Sequence, residues 1–162
     1  MRLRLVQNRM TSRAVDAMPE ALTRFHLAIP VHDLAAARAF YGGLFGCAEG
    51  RSGDRWVDYD FFGHQLVCHA ADGMRPAPSH NPVDGHDVPV PHFGVVLQLT
   101  DWHALADRLR AANVHFVVEP HVRFAGQPGE QATLFLLDPS GNALKFKAFA
   151  DIDAQLFATS IA

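Results

Sequence analysis

Hydrophobic and polar residues follow the same order twice along the chain, which indicates two copies of one structural module. Each copy opens with a short apolar stretch, residues 25–31 in the first half and 92–99 in the second. An amphipathic segment follows Asp33 and Asp101, with apolar residues every three to four positions, and predicts a helix that the aspartate caps. Alternating apolar and polar residues come next, as at 56–62, and predict half-buried strands.

Paired anchor residues support the repeat. His26 and His92 open the two apolar stretches and lie 66 residues apart, whereas the turn glycines Gly63 and Gly141 lie 78 apart. The second copy therefore carries about 12 extra residues, which surface loops absorb readily. We expect most of this insertion within 119–131, a segment rich in proline and glycine. Internal repetition is the main evidence for the architecture.

The predicted fold is α+β, with two β-α-β-β-β modules that form one domain around a single curved mixed sheet and one cavity. The modules cover residues 23–70 and 92–149. Residues 71–91 contain five prolines and two glycines and are expected to form an extended connection. Residues 1–22 are expected to be a flexible N-terminal extension, and 151–162 a C-terminal tail.

Composition limits the possible functions. The chain has 162 residues, of which 49% are hydrophobic, so one domain can bury a core. A net charge of −3 without a basic patch argues against nucleic-acid binding. No apolar run approaches the roughly 20 residues that span a bilayer, and the two cysteines fit a reducing compartment. We therefore expect a cytoplasmic protein that contacts neither nucleic acid nor membrane.

The repeated histidines are the best candidates for chemistry. If the first strand of each module turns its histidine inward, His26 and His92 meet across the pseudo-twofold axis. Two neutral imidazoles at one point are the start of a divalent metal site. The zinc motifs His-Glu-x-x-His and Cys-x-x-Cys are absent, as are nucleotide-binding and acyl-transfer motifs.

Four segments resemble the vicinal oxygen chelate superfamily, which includes glyoxalase I, fosfomycin and bleomycin resistance proteins and extradiol dioxygenases. They are HLAIPVHDL at 26–34, AFY and LFG within 39–46, HFGV at 92–95 and FLLDPSGNAL at 135–144. The resemblance implies the paired-module fold and a homodimer. It also implies a metal site completed by a glutamate on the last strand, but the matching position here is Lys145. An ammonium has no lone pair with which to bind a metal.

Three interpretations of Lys145 remain open. In the first, His26 and His92 bind a metal whose further ligand is Gln65, His69, Glu130 or water. In the second, no metal binds and Lys145 pairs with the anionic group of an organic ligand. In the third, Lys145 forms a salt bridge with Glu130 or Asp60, or points away, and the site is degenerate.

The predicted function is a dioxygenase- or glyoxalase-type enzyme that acts on a small oxygenated, aromatic compound. Its cofactor would be a divalent metal, namely iron, manganese, nickel or zinc, bound by His26 and His92. Gln65, Lys145 and the loop residues Arg123 and Phe124 are the candidates for substrate binding. The alternative is a resistance-type protein of the same fold that binds a small molecule without metal.

Overall fold

The computed structural model describes residues 23–73, 79–83, 86–126 and 130–158. The predicted extension at 1–22 lies outside these residues. The first module contains β1, α1 with a continuing π-helix, and three strands; a hairpin and the second module follow. The bounds are β1 His26–Val31, α1 Leu34–Ala37 with the π-helix Arg38–Leu44, β2 Ala48–Gly53, β3 Trp56–Phe61, β4 His64–Ala70, β5 Ser79–Val83, β6 His86–Val90, β7 Phe93–Gln98, α2 Leu99–Ala111, β8 Phe116–Arg123, β9 Gln131–Leu137, β10 Ala143–Phe149 and α3 Ile152–Gln155.

The two modules have the same topology. Their sheets have the strand orders β1-β4-β3-β2 and β7-β10-β9-β8, and in each the first strand is parallel to the last. The α+β fold of two repeated modules is therefore confirmed. In one respect the structure differs from the prediction, because the strands form two separate four-stranded sheets instead of one curved sheet. β1 and β7 are edge strands.

One face of each sheet packs into a shared core with the helices. Alternation in β3 and β10 sends Val57, Tyr59, Leu144 and Phe146 into this core, where Trp102 of α2 is also buried. Phe146 contacts Phe45 and Phe61 of the first module, with ring centroids 5.3 and 6.2 Å apart. The modules thus join through their helix-bearing sides. We call the opposite side of each sheet its helix-free face.

Three local predictions can be compared with the structure. The connection at 71–91 is more ordered than expected, because Ser79–Val83 and His86–Val90 form an antiparallel hairpin. Asp101 does not cap α2, whose N-cap is Gln98, three residues earlier; Asp101 lies in the first turn. Asparagine favours the left-handed conformation at helix ends, which predicts such a residue at Asn113, and Asn113 follows the helix with φ 54°. No helix in the described part of the chain is long and apolar enough to cross a membrane.

Candidate functional site

The Asp-Pro-Ser-Gly-Asn turn between β9 and β10 fastens the second module to the first. Asp138 is buried, and its Oδ1 accepts the backbone N–H groups of Ser140 (2.8 Å) and Asn142 (2.7 Å). Its Oδ2 accepts the Tyr41 hydroxyl at 2.9 Å and the Asn142 amide at 2.6 Å. Asn142 also donates to the carbonyl of Pro30 in β1. The turn therefore has a structural role and brings the start of β10 against β1.

A cavity of about 260 Å³ lies at this junction. Its volume is slightly below the usual range for ligand pockets, roughly 300–1,000 Å³. His92 is the titratable residue of a mostly apolar lining that consists of Leu27, Ala28, Ile29, Pro30, Pro91, His92, Phe93, Gly141, Asn142 and Ala143. His92 Nδ1 lies 2.7 Å from the carbonyl oxygen of Pro89, and its ring meets Phe135 edge to face at 5.1 Å. The cavity thus borders the helix-free face of the second sheet.

The helix-free face of the first sheet carries three hydrogen-bonded polar residues. Strand register places His26 beside Gln65, and Asp58 lies on the same face of β3. His26 Nδ1 is 2.7 Å from Gln65 Oε1, and Gln65 Nε2 donates to Asp58 Oδ2 at 3.0 Å. His26 is exposed, whereas Asp58 is only 6% exposed. This row runs from solvent to a buried carboxyl group.

The helix-free face of the second sheet is cationic and aromatic. Lys145 and Lys147 are half-buried and alternate with buried residues of β10 that face the core. The Lys145 ammonium lies 4.9 Å from the centre of the Phe135 ring, and that of Lys147 lies 4.9 Å from the centre of Phe149. Val88 of the hairpin packs near Phe135 and Val118 in a separate small cluster. The hairpin therefore covers part of this face.

The lysines of this face lie in a locally positive, partly desolvated environment. Burial lowers the pKa of Lys145, and the positive charges of Lys147 and Arg123 lower it further. Burial and Arg123 lower the pKa of Lys147. Among the described residues, no carboxylate lies within ion-pair distance of either ammonium. Thr133, opposite Lys147 in β9, is 8% exposed, and its hydroxyl has no hydrogen-bond partner in the described structure.

Arg123 and Phe124 lie at the end of β8, which extends further than the sequence predicted. Arg123 is the last residue of this strand, and its guanidinium lies 5.0 Å from the centre of the Phe124 ring. Phe124 is 41% exposed and has φ 56°. Arg123 therefore adds positive charge to the helix-free face of the second sheet, which we also call the lysine face. It does so from a strand and not, as predicted, from a loop.

The side chains of a single chain are not arranged to bind a divalent metal. Within the described residues, no group of three His, Cys, Asp or Glu side chains could hold one. His26 contacts Gln65, whereas His92 contacts Pro89 and Phe135. The ammonium of Lys145, at the position of the expected carboxylate, and that of Lys147 two residues along β10 would repel a cation.

The proposed salt bridge of Lys145 with Glu130 or Asp60 is wrong. Glu130 accepts the backbone N–H of Gly126, and Asp60 Oδ1 accepts that of Gly63 at 2.7 Å. Neither carboxylate forms an ion pair with a lysine in the described structure. Of the three interpretations, pairing of Lys145 with an external anion agrees best with this geometry.

The sequence interpretation missed Lys147 and Thr133 as members of the site. One signal was present, because the chain contains only two lysines and they lie two positions apart on a predicted strand. Side chains at i and i+2 of a strand share a face. No comparable signal marked Thr133, whose importance depends on its burial and cross-strand neighbour.

Comparisons with known proteins agree with the fold described above. A family model described as the Glyoxalase/Bleomycin resistance protein/Dioxygenase superfamily matches residues 23–146. A glyoxalase/bleomycin resistance protein/dioxygenase from Alicyclobacillus acidocaldarius is 35% identical, with a TM-score of 0.66, over 81% of this chain and 94% of that one. No curated protein matches the chain.

Two more distant structures share the fold. The fosfomycin resistance protein FosX from Listeria monocytogenes is 17% identical, with a TM-score of 0.59, over 82% of this chain and 95% of that one. Lactoylglutathione lyase from Agrobacterium tumefaciens is 21% identical, with a TM-score of 0.56, over 82% and 96%.

Proposed function

Because the chain belongs to the glyoxalase/bleomycin resistance protein/dioxygenase superfamily, we propose that it binds a small oxygenated organic anion on the helix-free face of its second module. Lys145 and Lys147 bind the anionic group, and Thr133 donates a hydrogen bond to it. The ring of Phe135 is buried beside His92, and it supports the Lys145 ammonium, which lies 4.9 Å from its centre.

One observation carries this proposal: two neighbouring, half-buried ammonium groups have no acidic partner in the described structure. Desolvation and mutual repulsion oppose their charged state, so this arrangement does not help the fold. The negative charge of a bound carboxylate or phosphonate would offset both penalties. It would also give the buried Thr133 hydroxyl a partner.

A metal-dependent enzyme of the glyoxalase or dioxygenase type is the second candidate. The hydrogen bond between His26 and Gln65 at 2.7 Å favours it, because metal-binding histidines usually donate one ring N–H to a neighbouring acceptor and bind the metal through the other nitrogen. His92 would have to join His26, and the metal would be iron, manganese, nickel or zinc. On the family resemblance, we also propose that the chain forms a homodimer, which light scattering after gel filtration would test.

Calorimetric titration with benzoate and phenylphosphonate tests the anion site, with benzamide as a neutral analogue of benzoate. A hydrogen bond to a charged group is worth about 1.5–3 kcal/mol. Lys145→Met and Lys147→Met should therefore each raise the Kd for the anions about 10- to 150-fold. Binding should weaken with salt, because the face is partly open to solvent.

Arg55→Met is the matched control, since it removes one positive charge from the first module. Arg55 is exposed and pairs with Asp72, so its loss should leave the Kd unchanged. If benzamide binds as tightly as benzoate, or if Arg55→Met weakens binding as much as the lysine variants do, the lysines do not form an anion site.

A further inference from the structure

The hydrogen bonds around Gln65 fix which nitrogen of His26 carries the proton. A carboxylate only accepts hydrogen bonds, so the side-chain group of Gln65 that faces Asp58 is its NH2. The amide oxygen of Gln65 must then face His26. Because that oxygen also only accepts, the nitrogen that it contacts at 2.7 Å, Nδ1, is the protonated one. In the neutral ring the lone pair is then on Nε2.

The equivalent histidine of the second module reaches the same state through different groups. His92 Nδ1 lies 2.7 Å from the carbonyl oxygen of Pro89, which only accepts, so this nitrogen also carries the proton. His64 provides the contrast within the same protein. Its Nδ1 accepts the backbone N–H of Phe25 at 3.1 Å, so its proton is on Nε2. The tautomers of these histidines therefore follow local partners rather than one general preference.

Asp58 is an unusual group to find at the inner end of the row. It is 6% exposed, and its Oδ1 has no hydrogen-bond partner in the described structure. The guanidinium of Arg51 lies 3.6 Å from Oδ2, but Arg51 is itself mostly exposed. Burying a carboxyl group that is only partly satisfied costs free energy. A role in orienting Gln65 gives a reason for this cost.

We propose that Asp58 is a positioning residue that acts through Gln65 to hold His26 as the Nδ1–H tautomer. His26 Nε2 is then a free hydrogen-bond acceptor on the helix-free face of the first sheet. It accepts a hydrogen bond from a hydroxyl group of a bound compound. This role is independent of the lysine face and of any anion bound there.

Two-bond proton–nitrogen correlation spectra of histidine-labelled protein without ligand test the proposal. At about pH 8.5 most imidazoles are neutral, and the spectra distinguish the two tautomers. Signals are assigned by their loss in His26→Gln and His64→Gln. We expect wild-type His26 to be Nδ1–H and His64 to be Nε2–H.

Two variants separate positioning from general damage to the structure. In Asp58→Asn the amide of Gln65 can turn either way, so the Nδ1–H fraction of His26 should fall from nearly all to about half. Gln65→Met removes the acceptor and should also release the tautomer, whereas His64 should keep its signals in both variants as evidence of a native fold. The proposal is overturned if wild-type His26 is Nε2–H, or if both variants retain Nδ1–H at His26.

Discussion

The hydroxyl of Tyr41 provides a quantitative test of how the two modules are joined. Tyr41 is fully buried in the π-helix of the first module, and its hydroxyl donates to Asp138 Oδ2 at 2.9 Å in the turn of the second. Tyr41→Phe removes this hydrogen bond and leaves the ring in place. The ring packs on Phe40 and Tyr59, with centroids 5.0 and 5.6 Å away, so no large cavity results.

The expected loss follows from what remains around Asp138. A hydrogen bond to a charged group contributes about 1.5–3 kcal/mol. After the substitution Asp138 still accepts two hydrogen bonds from Asn142 and one from Ser140, so its buried carboxylate keeps hydrogen-bond donors. We therefore expect the lower part of the range, a decrease of about 1.5–2 kcal/mol in the free energy of unfolding. For a chain of this size that corresponds to roughly 3–8 °C in Tm.

Urea unfolding followed by tryptophan fluorescence measures this change, and Tyr59→Phe is the matched control. Tyr59 is also buried, but its hydroxyl has no hydrogen-bond partner in the described structure. Removal of an unpaired buried hydroxyl should change the free energy of unfolding by less than about 0.5 kcal/mol, or should stabilise the protein. If Tyr41→Phe loses no more stability than Tyr59→Phe, the Tyr41–Asp138 bond does not contribute to joining the modules.

Three further predictions concern the helix-free faces. Lys147→Met should raise the pKa of Lys145, measured by NMR of 13C-methylated amines, and should stabilise the protein at neutral pH, measured by urea unfolding. Because folding lowers the pKa of both lysines, the free energy of unfolding of the wild type should rise with pH as the lysines lose their protons. Gly94→Ala should cost about 1–3 kcal/mol in thermal unfolding, because its methyl group overlaps the Lys145 carbonyl oxygen, whereas Gly43→Ala, with open space, should cost little. Lys145→Glu should bind more zinc than wild type by elemental analysis; equal zinc contents would contradict the view that Lys145 opposes a metal.

The sequence was sufficient to predict the elements that have strong periodicity. The repeated strand–helix–strand order and the alternation in β3 and β10 are local patterns that packing preserves. The hairpin at β5 and β6 was missed because Pro82 and Pro89 argue against strands, although both lie on a short two-stranded ribbon that tolerates them. The start of α2 was also misplaced, because β7 continues directly into the helix without a side-chain cap.

The relation between the two sheets could not be read from local patterns. The two sheets could join edge to edge into one sheet, or pack through their helix-bearing sides. Both arrangements give the same alternation of apolar and polar residues along each strand. Which arrangement the sheets adopt depends on contacts between residues far apart in sequence, such as Phe45 with Phe146 and Tyr41 with Asp138. The same limit applies to the site, since alternation places His26 and Lys145 on faces but does not give their partners.

The repeat of the two modules shows what the fold requires at the position of Lys145. Ala28 pairs with Val67 in the first module as Gly94 pairs with Lys145 in the second, so Val67 and Lys145 occupy equivalent positions. The first module fills its position with a valine that is 7% exposed. A neutral side chain is therefore sufficient for this topology. The desolvation and repulsion that lower the pKa of Lys145 are consequently not a requirement of the fold, which is consistent with the proposed anion site.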